Sequence, residues 1–494
     1  MRFNLPTDDT SQGVSDQRDT TTPLCVDLDG TLLRSDMLLE SLLAMIKDNP
    51  ASVFQLPFWM VKGKAHFKSQ IASRVDFSSC HLPFNEEVVE YVLEQRASRR
   101  TVLVTGTHQS LAEAVANSVD LFDEVIGSTS ETNLTSHRKR DLLQSRFGVK
   151  GFDYIGNDKD DLNVWPAARE AMVVSAPTGI ASYELQTFER IFNTKASKFS
   201  DYLSLLRVHQ WSKNALIAVP FFLDHRINDV AAFTTVVLAF VAMSMLSSAT
   251  YIFNDMLDLQ ADRQNDTKCK RALASGAVTI PRAAQVIAGL VVLLLIVTSM
   301  LPTAFNGTLF LYLITTLTYS LLLKKKAMVD IITIAALHTL RVVAGILVIQ
   351  AAWSFWLLGF SMFFFFSLAS AKRVAELINL QQAGRQSTVG RDYQTADIPV
   401  MLASGVSTGF ISIMIVALYI NSEKVQTMYA NPMILWLLCP VLMYWVGRIW
   451  IYTARGQMHE DPIVFAMTDR GSKLTALTLA SILIAAMLQG TGAL

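Results

Sequence analysis

The sequence predicts two architectures in one chain: an α/β domain with a small helical cap, followed by an all-α polytopic membrane bundle of about nine transmembrane helices. Three observations carry this. Charge is unevenly spread, so that the first ~200 residues read as soluble and the remainder as apolar blocks joined by charged loops. A short apolar run, Pro23-Leu-Cys-Val, ends in two carboxylates, Asp27 and Asp29, followed by Gly30-Thr31. Beyond residue 206, hydrophobic blocks recur near 214–224, 232–253, 281–301, 304–323, 328–350, 353–370, 397–420, 432–452 and 473–491. Composition agrees: only 17% of the 494 residues are charged, and the mean hydropathy is +0.34. Lysine plus arginine and aspartate plus glutamate number 42 each, so net charge points to no nucleic-acid partner. Cys25, Cys80, Cys269 and Cys439 lack the spacing of a disulfide framework or a zinc site.

Residues 1–21 have no apolar core of signal-peptide length and are expected to form a disordered leader. The first domain is expected over 22–180. In an extended strand, residues two apart point the same way. Asp27 and Asp29 therefore face one site at the strand's C-terminal end, where open α/β sheets place ligands. One carboxylate can attack phosphorus while the other shuttles the proton, with a cation neutralising the phosphate. Residues 35–90 carry helical periodicity and are expected to form the cap.

The D-x-D-G-T-L run resembles the haloacid-dehalogenase-like hydrolases, particularly their phosphoserine-phosphatase-like members. That likeness extends to TVLVTGT with Thr105, to HRKRDLLQSRFG with Lys139, and to YIGNDKDDLNVW. It implies a Rossmann-like fold, with Asp27 as nucleophile, Asp29 as acid/base, and Thr105 and Lys139 binding phosphate. It also implies Mg²⁺ on Asp27 together with Asn157, Asp158 and Asp161. The chain has Gly156-Asn157 where the family usually has Gly-Asp. The alternative is a phosphatase-like fold retained as a docking or regulatory module.

A linker ending in an interfacial helix is expected over 181–206, and the membrane domain over 207–494. The loops holding Arg263–Arg271, Lys324–Lys326, Lys372–Arg391 and Arg448–Lys473 are basic, whereas the opposite set has little beyond Arg226 and Lys424. Positive loops stay in the cytoplasm. A multi-pass inner-membrane protein is expected, with its N-terminal domain and active sites cytoplasmic and, for nine spans, its C-terminus outside.

The stretch Tyr251–Gly276 carries the second candidate site. Asn254, Asp255, Asp258 and Asp262 form N-D-x-x-D-x-x-x-D, and on a helix the three aspartates would share a face. Such a stripe between two spans is unfavourable without cations. Its hard oxygens suit Mg²⁺ bridging to substrate phosphates, and Lys268 and Arg271 lie close by to hold the same anion. Asp330 and Arg341 are ionisable residues inside one predicted span, and pair with each other or serve function. Lys372, Arg373 and Glu376 share a helical face, with Arg391 and Tyr393 beyond.

Residues from about 200 onward resemble the UbiA superfamily of intramembrane prenyltransferases. The first aspartate motif of that family is intact. The later D-x-x-x-D is replaced by Lys372-Arg373-x-x-Glu376 and Arg391-x-Tyr393. LRVHQWSKNALIAVP (Arg207, Lys213, Asn214), YSLLLKKKAMVDI (Tyr319, Lys324, Asp330), Arg341 and AKRVAEL resemble the decaprenyl-phosphate phosphoribosyltransferase branch. At 265–272 the chain departs from that branch, keeping Lys268 and Arg271 but not its histidine and prolines. The resemblance implies transfer of 5-phosphoribosyl from phosphoribosyl pyrophosphate to polyprenyl phosphate with Mg²⁺, the first domain removing the 5-phosphate. The alternative enzyme is an aromatic polyprenyltransferase of quinone synthesis. A transporter reading is disfavoured, because no internal repeat is evident and charge gathers on one side.

Overall fold

The computed structural model describes residues 22–77, 81–175, 188–193, 197–386, 391–458 and 462–488. The expected leader and much of the expected linker lie outside them. The chain forms two compact units. Unit 1 runs to Leu205 and also takes in Ile252–Gln285; unit 2 comprises Leu206–Tyr251 and Val286 onward. The acidic stretch, expected within the second domain, therefore packs with the first.

Unit 1 is built on six parallel strands, β1 (Leu24–Val26), β2 (Thr101–His108), β3 (Glu124–Ser128), β4 (Asp153–Gly156), β5 (Ala171–Val174) and β6 (Arg190–Phe192), in the order β3-β2-β1-β4-β5-β6. The order reverses about β1, so the crevice at its carboxyl end is where such a sheet binds ligands. Four helices precede β2: α1 (Met37–Asp48), α2 (Leu56–Val61), α3 (Lys64–Ala72) and α4 (Glu86–Arg96). Asp36 caps α1 by accepting from Leu39 N at 3.0 Å, as a short acidic side chain does at a helix start. Val88, Val89 and Val92 of α4 join the sheet's core, as do Met37 of α1 and Ala72 of α3. Helices α5 (Gln109–Val119) and α6 (His137–Phe147) complete the crossovers, and α7 (Phe199–Leu206) follows β6. At the sheet's other end, fully buried Asp153 is held by Arg99 and by Arg169.

Unit 2 is helical. After a 3₁₀ segment, Val208–Ala218, come α8 (Val219–Leu223) and α9 (Val230–Leu257); α10 (Leu259–Arg263) belongs to unit 1. Then follow α11 (Ile280–Thr298), α12 (Thr303–Leu321), α13 (Val329–Val348), α14 (Phe355–Gln382), α15 (Ile398–Ile420), α16 (Glu423–Met428), α17 (Leu438–Ala454), α18 (Pro462–Thr468) and α19 (Arg470–Leu488). Among the described residues, six helical stretches are long and apolar enough to cross a membrane, where nine spans were expected. These contain α9, α11, α13, α14, α15 and α17. The first block is interrupted: Pro220 opens the five-residue α8 after the 3₁₀ turn. Helix α12 is diluted by Thr303, Thr308, Thr315, Thr316 and Thr318, and α19 by Arg470 and Lys473. With six such stretches, parity no longer sets the side of the C-terminus. Val292, Leu293, Leu295 and Ile296 of α11 are exposed together, as lipid-facing residues are. The chain is an integral multi-pass membrane protein.

Candidate functional sites

The strand-end site of unit 1 assembles from the loops after β1, β2 and β4. Asp27, buried, accepts from Lys139 Nζ at 2.8 Å, and the same ammonium donates to Tyr154 Oη at 2.9 Å and Asp161 Oδ1 at 3.3 Å. Asp29 accepts from Met37 N at 2.8 Å and from Thr107 Oγ1 at 2.7 Å. Burial pushes the Asp27 carboxyl up to about 7 against the pull of Lys139, with Asp161 and Asp29 adding repulsion. Desolvation, then Asp36, pushes Asp29 up to about 6, while Met37 N–H and Thr107 oppose the rise. Burial also works against the charge on Lys139, but Asp161 and Asp27 outweigh it and hold its pKa above the usual lysine value. Two carboxyls poised near neutrality beside a fixed cation can divide nucleophile and acid/base roles between them.

Thr105 is fully buried and accepts from Thr107 N at 3.0 Å. Asn157 lies at the site, its Oδ1 accepting from Thr31 Oγ1 at 3.0 Å. Gly30, at φ +75°, passes so close that a Cβ there would strike the Asn157 side chain. The other two expected metal ligands are differently engaged. Asp158 is exposed and caps the following turn, accepting from Lys159 N at 2.6 Å. Asp161 accepts from Lys139, from Tyr154 at 2.6 Å, and from the backbone N–H of Asn157 and Asp158 at 3.0 and 3.2 Å. Its lone pairs are thus committed to shaping the loop.

Thr107 and Lys68 are among the site residues that the sequence did not single out. Thr107 was legible from strand alternation, two residues beyond Thr105. Lys68 of α3 was not: it reaches across to Gly106 O at 2.5 Å and Asn133 Oδ1 at 2.9 Å.

The acidic stretch does not form one stripe. Helix α9 ends at Leu257, and Asp258 stands between it and α10. Asp255 and Asp262, both buried, converge on a single nitrogen of Arg271, at 3.1 and 2.6 Å. Asp258 instead accepts from Asn254 Nδ2 at 3.2 Å and pairs with Lys47 of α1 at 3.1 Å. Lys268 is half-buried on the turn before Arg271. Neighbouring Arg263 makes a two-pronged pair with Glu40 of α1, both bonds 2.7 Å and both residues buried.

Among the described residues no group of three or more histidine, cysteine, aspartate or glutamate side chains converges as a metal cage. The carboxylates converge in pairs, each on a cation: Asp255 and Asp262 on Arg271, Asp27 and Asp161 on Lys139. Paired hard oxygens completed by water and substrate phosphate are the usual protein contribution to a Mg²⁺ site.

In unit 2, Asp330 and Arg341 do not pair. Asp330, fully buried, takes Arg373 at 2.6 Å and Tyr319 Oη at 2.8 Å. Arg373 also meets Glu376, which binds Arg391 at 3.1 Å, and its guanidinium lies over the Tyr393 ring. Tyr393 Oη accepts from Met328 N at 2.9 Å. This cluster is charge-balanced. Lys372, Lys213 and Lys324 are half-buried, and Arg207 lies over the Tyr251 ring. Arg341 is different. Its guanidinium donates to Asn214 Oδ1 at 2.8 Å, Leu337 O at 2.8 Å and Tyr312 Oη at 2.7 Å, all neutral acceptors, with the His338 ring at 3.3 Å. Tyr312 and His338 carried no sequence motif that would have singled them out.

Comparison with known proteins places these sites in context. A 36% identical relative, the uncharacterized protein y4nM of Sinorhizobium fredii, aligns over 94% of this chain and 91% of its own length. A decaprenyl-phosphate phosphoribosyltransferase of Mycobacterium tuberculosis is 31% identical over 38% of this chain and 64% of its own. A solved UbiA homolog from Archaeoglobus fulgidus, bound to GPP and Mg²⁺, aligns over 57% of this chain and 99% of its own at 16% identity, with a TM-score of 0.43. Residues 218–488, more than half of the chain, match the UbiA prenyltransferase family, and the chain belongs to that family.

Proposed function

We propose that this protein is a bifunctional membrane enzyme that transfers 5-phosphoribosyl from phosphoribosyl pyrophosphate to a polyprenyl phosphate and then removes the 5-phosphate of the product. The observation carrying the transferase half is buried Arg341, whose hydrogen-bond partners among the described residues are neutral; its charge is available to a phosphate inside an apolar domain. The likeness to decaprenyl-phosphate phosphoribosyltransferases supports the same donor and acceptor. In this reading the lipid phosphate oxygen forms a bond to C1 of the ribose as the bond from C1 to pyrophosphate breaks. Asp255, Asp258 and Asp262 would hold Mg²⁺, which would neutralise the departing pyrophosphate. Arg271 and Lys268 orient that anion. In unit 2, Lys213, Lys372 and Arg391 are the cations assigned to phosphate binding. An apolar cavity of about 300 Å³ in unit 2, walled by Pro220, Leu223, Trp356, Phe360, Ile415 and Leu483, suits isoprenoid units. The basic loops are cytoplasmic in this reading.

For the second half, an Asp27 oxygen bonds to phosphorus as the bond to O5 breaks, and Asp29 gives O5 its proton. Water then attacks phosphorus as the bond from Asp27 to phosphorus breaks, Asp29 taking the proton of the water and inorganic phosphate leaving. Lys139 holds Asp27 and the transferring phosphoryl group, and the Asp27–Asn157 edge would hold Mg²⁺. The six-stranded parallel sheet with Asp27 and Asp29 at its switch point supports this assignment.

The test uses membranes containing the chain, labelled phosphoribosyl pyrophosphate, polyprenyl phosphate and Mg²⁺. Label should enter lipid, be lost with Asp255→Ala, and retain its 5-phosphate with Asp27→Asn. Absence of labelled lipid, where an isoprenyl diphosphate is consumed instead, replaces this reading with a quinone-type prenyltransferase.

A further inference from the structure

The acidic stretch makes two polar contacts with α1, the helix that opens the cap of the phosphatase-like fold. Glu40 and Arg263 form a two-pronged pair in which each side chain is 5% exposed or less. Arg263 adjoins Asp262, and its Nε also donates to Ala274 O at 3.0 Å. Glu40 thereby ties together the two ends of the turn that carries Lys268 and Arg271. Two helical turns along α1, Lys47 approaches Asp258 at 3.1 Å from a position 32% exposed. Between the contacts lies a cavity of about 90 Å³, bounded by Glu40, Lys47 and Asp48 on one side and Met256, Leu257 and Gln260 on the other. Neither contact serves the strand-end chemistry, since Glu40 and Lys47 touch none of Asp27, Asp29, Thr105 or Lys139 in their hydrogen bonds or ion pairs.

A buried, bidentate, charge-assisted pair fixes geometry, and losing one member leaves an uncompensated charge. A half-exposed ammonium beside a carboxylate is a weak, exchangeable partner that a divalent cation can displace. The two contacts therefore act oppositely on the acidic stretch, one holding its shape and one competing for its charge.

We propose that α1 is a working part of the acidic site: Glu40 is a positioning residue that holds the Asp255–Asp262 turn through Arg263, and Lys47 is a counter-charge that occupies Asp258 until a divalent cation and its anion arrive. The phosphatase-like fold thus sets the metal response of the transferase without using its own chemistry. This rests on the function proposed above only where transfer is the readout.

The test is Mn²⁺ binding to the purified full-length chain in detergent, followed by the electron paramagnetic resonance of the free ion. The relevant binding class is the one lost in Asp258→Asn. Glu40→Gln should weaken it roughly tenfold, as removing a ligand's supporting partner does, and the swap Glu40→Arg with Arg263→Glu should recover most of that loss. Lys47→Met should tighten it about threefold, the scale of a half-exposed ion pair. A merely structural role for α1 would not move the two variants in opposite directions. Wild-type Mn²⁺ binding in both Glu40→Gln and Lys47→Met overturns the inference; if Glu40→Gln does not fold, an unchanged Lys47→Met overturns the counter-charge on its own. Where the wild type transfers label to lipid, its Mg²⁺ requirement should shift the same way in each variant. Where it transfers none, the proposed function fails while the Mn²⁺ titration still decides this point.

Discussion

Replacing Lys139 by methionine tests the strand-end site most sharply. The ammonium is buried and meets two carboxylates and a phenol, Asp27 at 2.8 Å, Asp161 at 3.3 Å and Tyr154 at 2.9 Å. Methionine fills much of the volume, so the loss is electrostatic: two buried carboxylates face each other without a cation. Breaking a buried pair in this way costs about 3–5 kcal/mol, which for a unit of this size lowers the melting temperature by on the order of 10 °C. The loss should depend on pH. With its folded pKa already raised to about 7, Asp27 binds a proton more tightly in the folded than in the unfolded chain. Its contribution is favourable below the ordinary aspartate value and is lost as pH rises through the folded one. Without Lys139 that pKa rises further. The gap between variant and wild type should therefore be small near about pH 5 and large near about pH 8. Thermal unfolding of the full chain in detergent, followed at both values, reads the effect. Equal melting of the two proteins at the higher pH would refute the reasoning.

Three further outcomes follow from the same geometry. Hydrolysis of a phosphomonoester should show a low, bell-shaped pH maximum between about 6 and about 7, because Asp29 must be protonated and Asp27 ionised, a state that only a minor fraction of molecules holds when Asp29 titrates near 6 and Asp27 near 7; a rate unchanged across that interval and beyond it would remove both from the chemistry. Thr107→Val deletes the hydroxyl that donates to Asp29 at 2.7 Å. It should lower the hydrolytic rate about tenfold by losing the bond that orients the Asp29 carboxyl, and a wild-type rate in Thr107→Val would contradict this. Arg373→Met leaves Asp330 and Glu376 without their shared cation and should destabilise unit 2 by about 3–5 kcal/mol, seen as lost monodispersity in detergent, whereas Lys372→Met should leave the folded state unchanged.

Local chemistry explains why some of this was readable in the sequence. Asp27 and Asp29 were readable because an apolar run that ends in carboxylates and Gly-Thr marks the C-terminal end of a strand; β1 itself stops at Val26, so both carboxylates stand on the loop beyond it. The apolar blocks were visible because burying a backbone in lipid demands a long run of apolar residues. The count of spans was less legible. Among the described residues six helical stretches are long and apolar enough to cross a membrane; Pro220 interrupts the first block, and the threonines of α12 dilute a helix that otherwise matches its block. The acidic motif was readable as a set of carboxylates but not as a geometry, because the helix stops at Leu257 and turns Asp258 toward a different partner.

Sequence by itself determined the two kinds of architecture, the positions of the strand-end carboxylates and the presence of the N-D-x-x-D-x-x-x-D motif, all of which depend on residues close together in the chain. Tertiary structure alone decided the pairings. Glu40 meets Arg263 across 223 positions, Lys139 meets Asp27 across 112, and Arg341 reaches Asn214 rather than Asp330. A charge finds its partner through the packing of whole elements, and no local period encodes which distant carboxylate, amide or phenol that packing will bring within 3 Å.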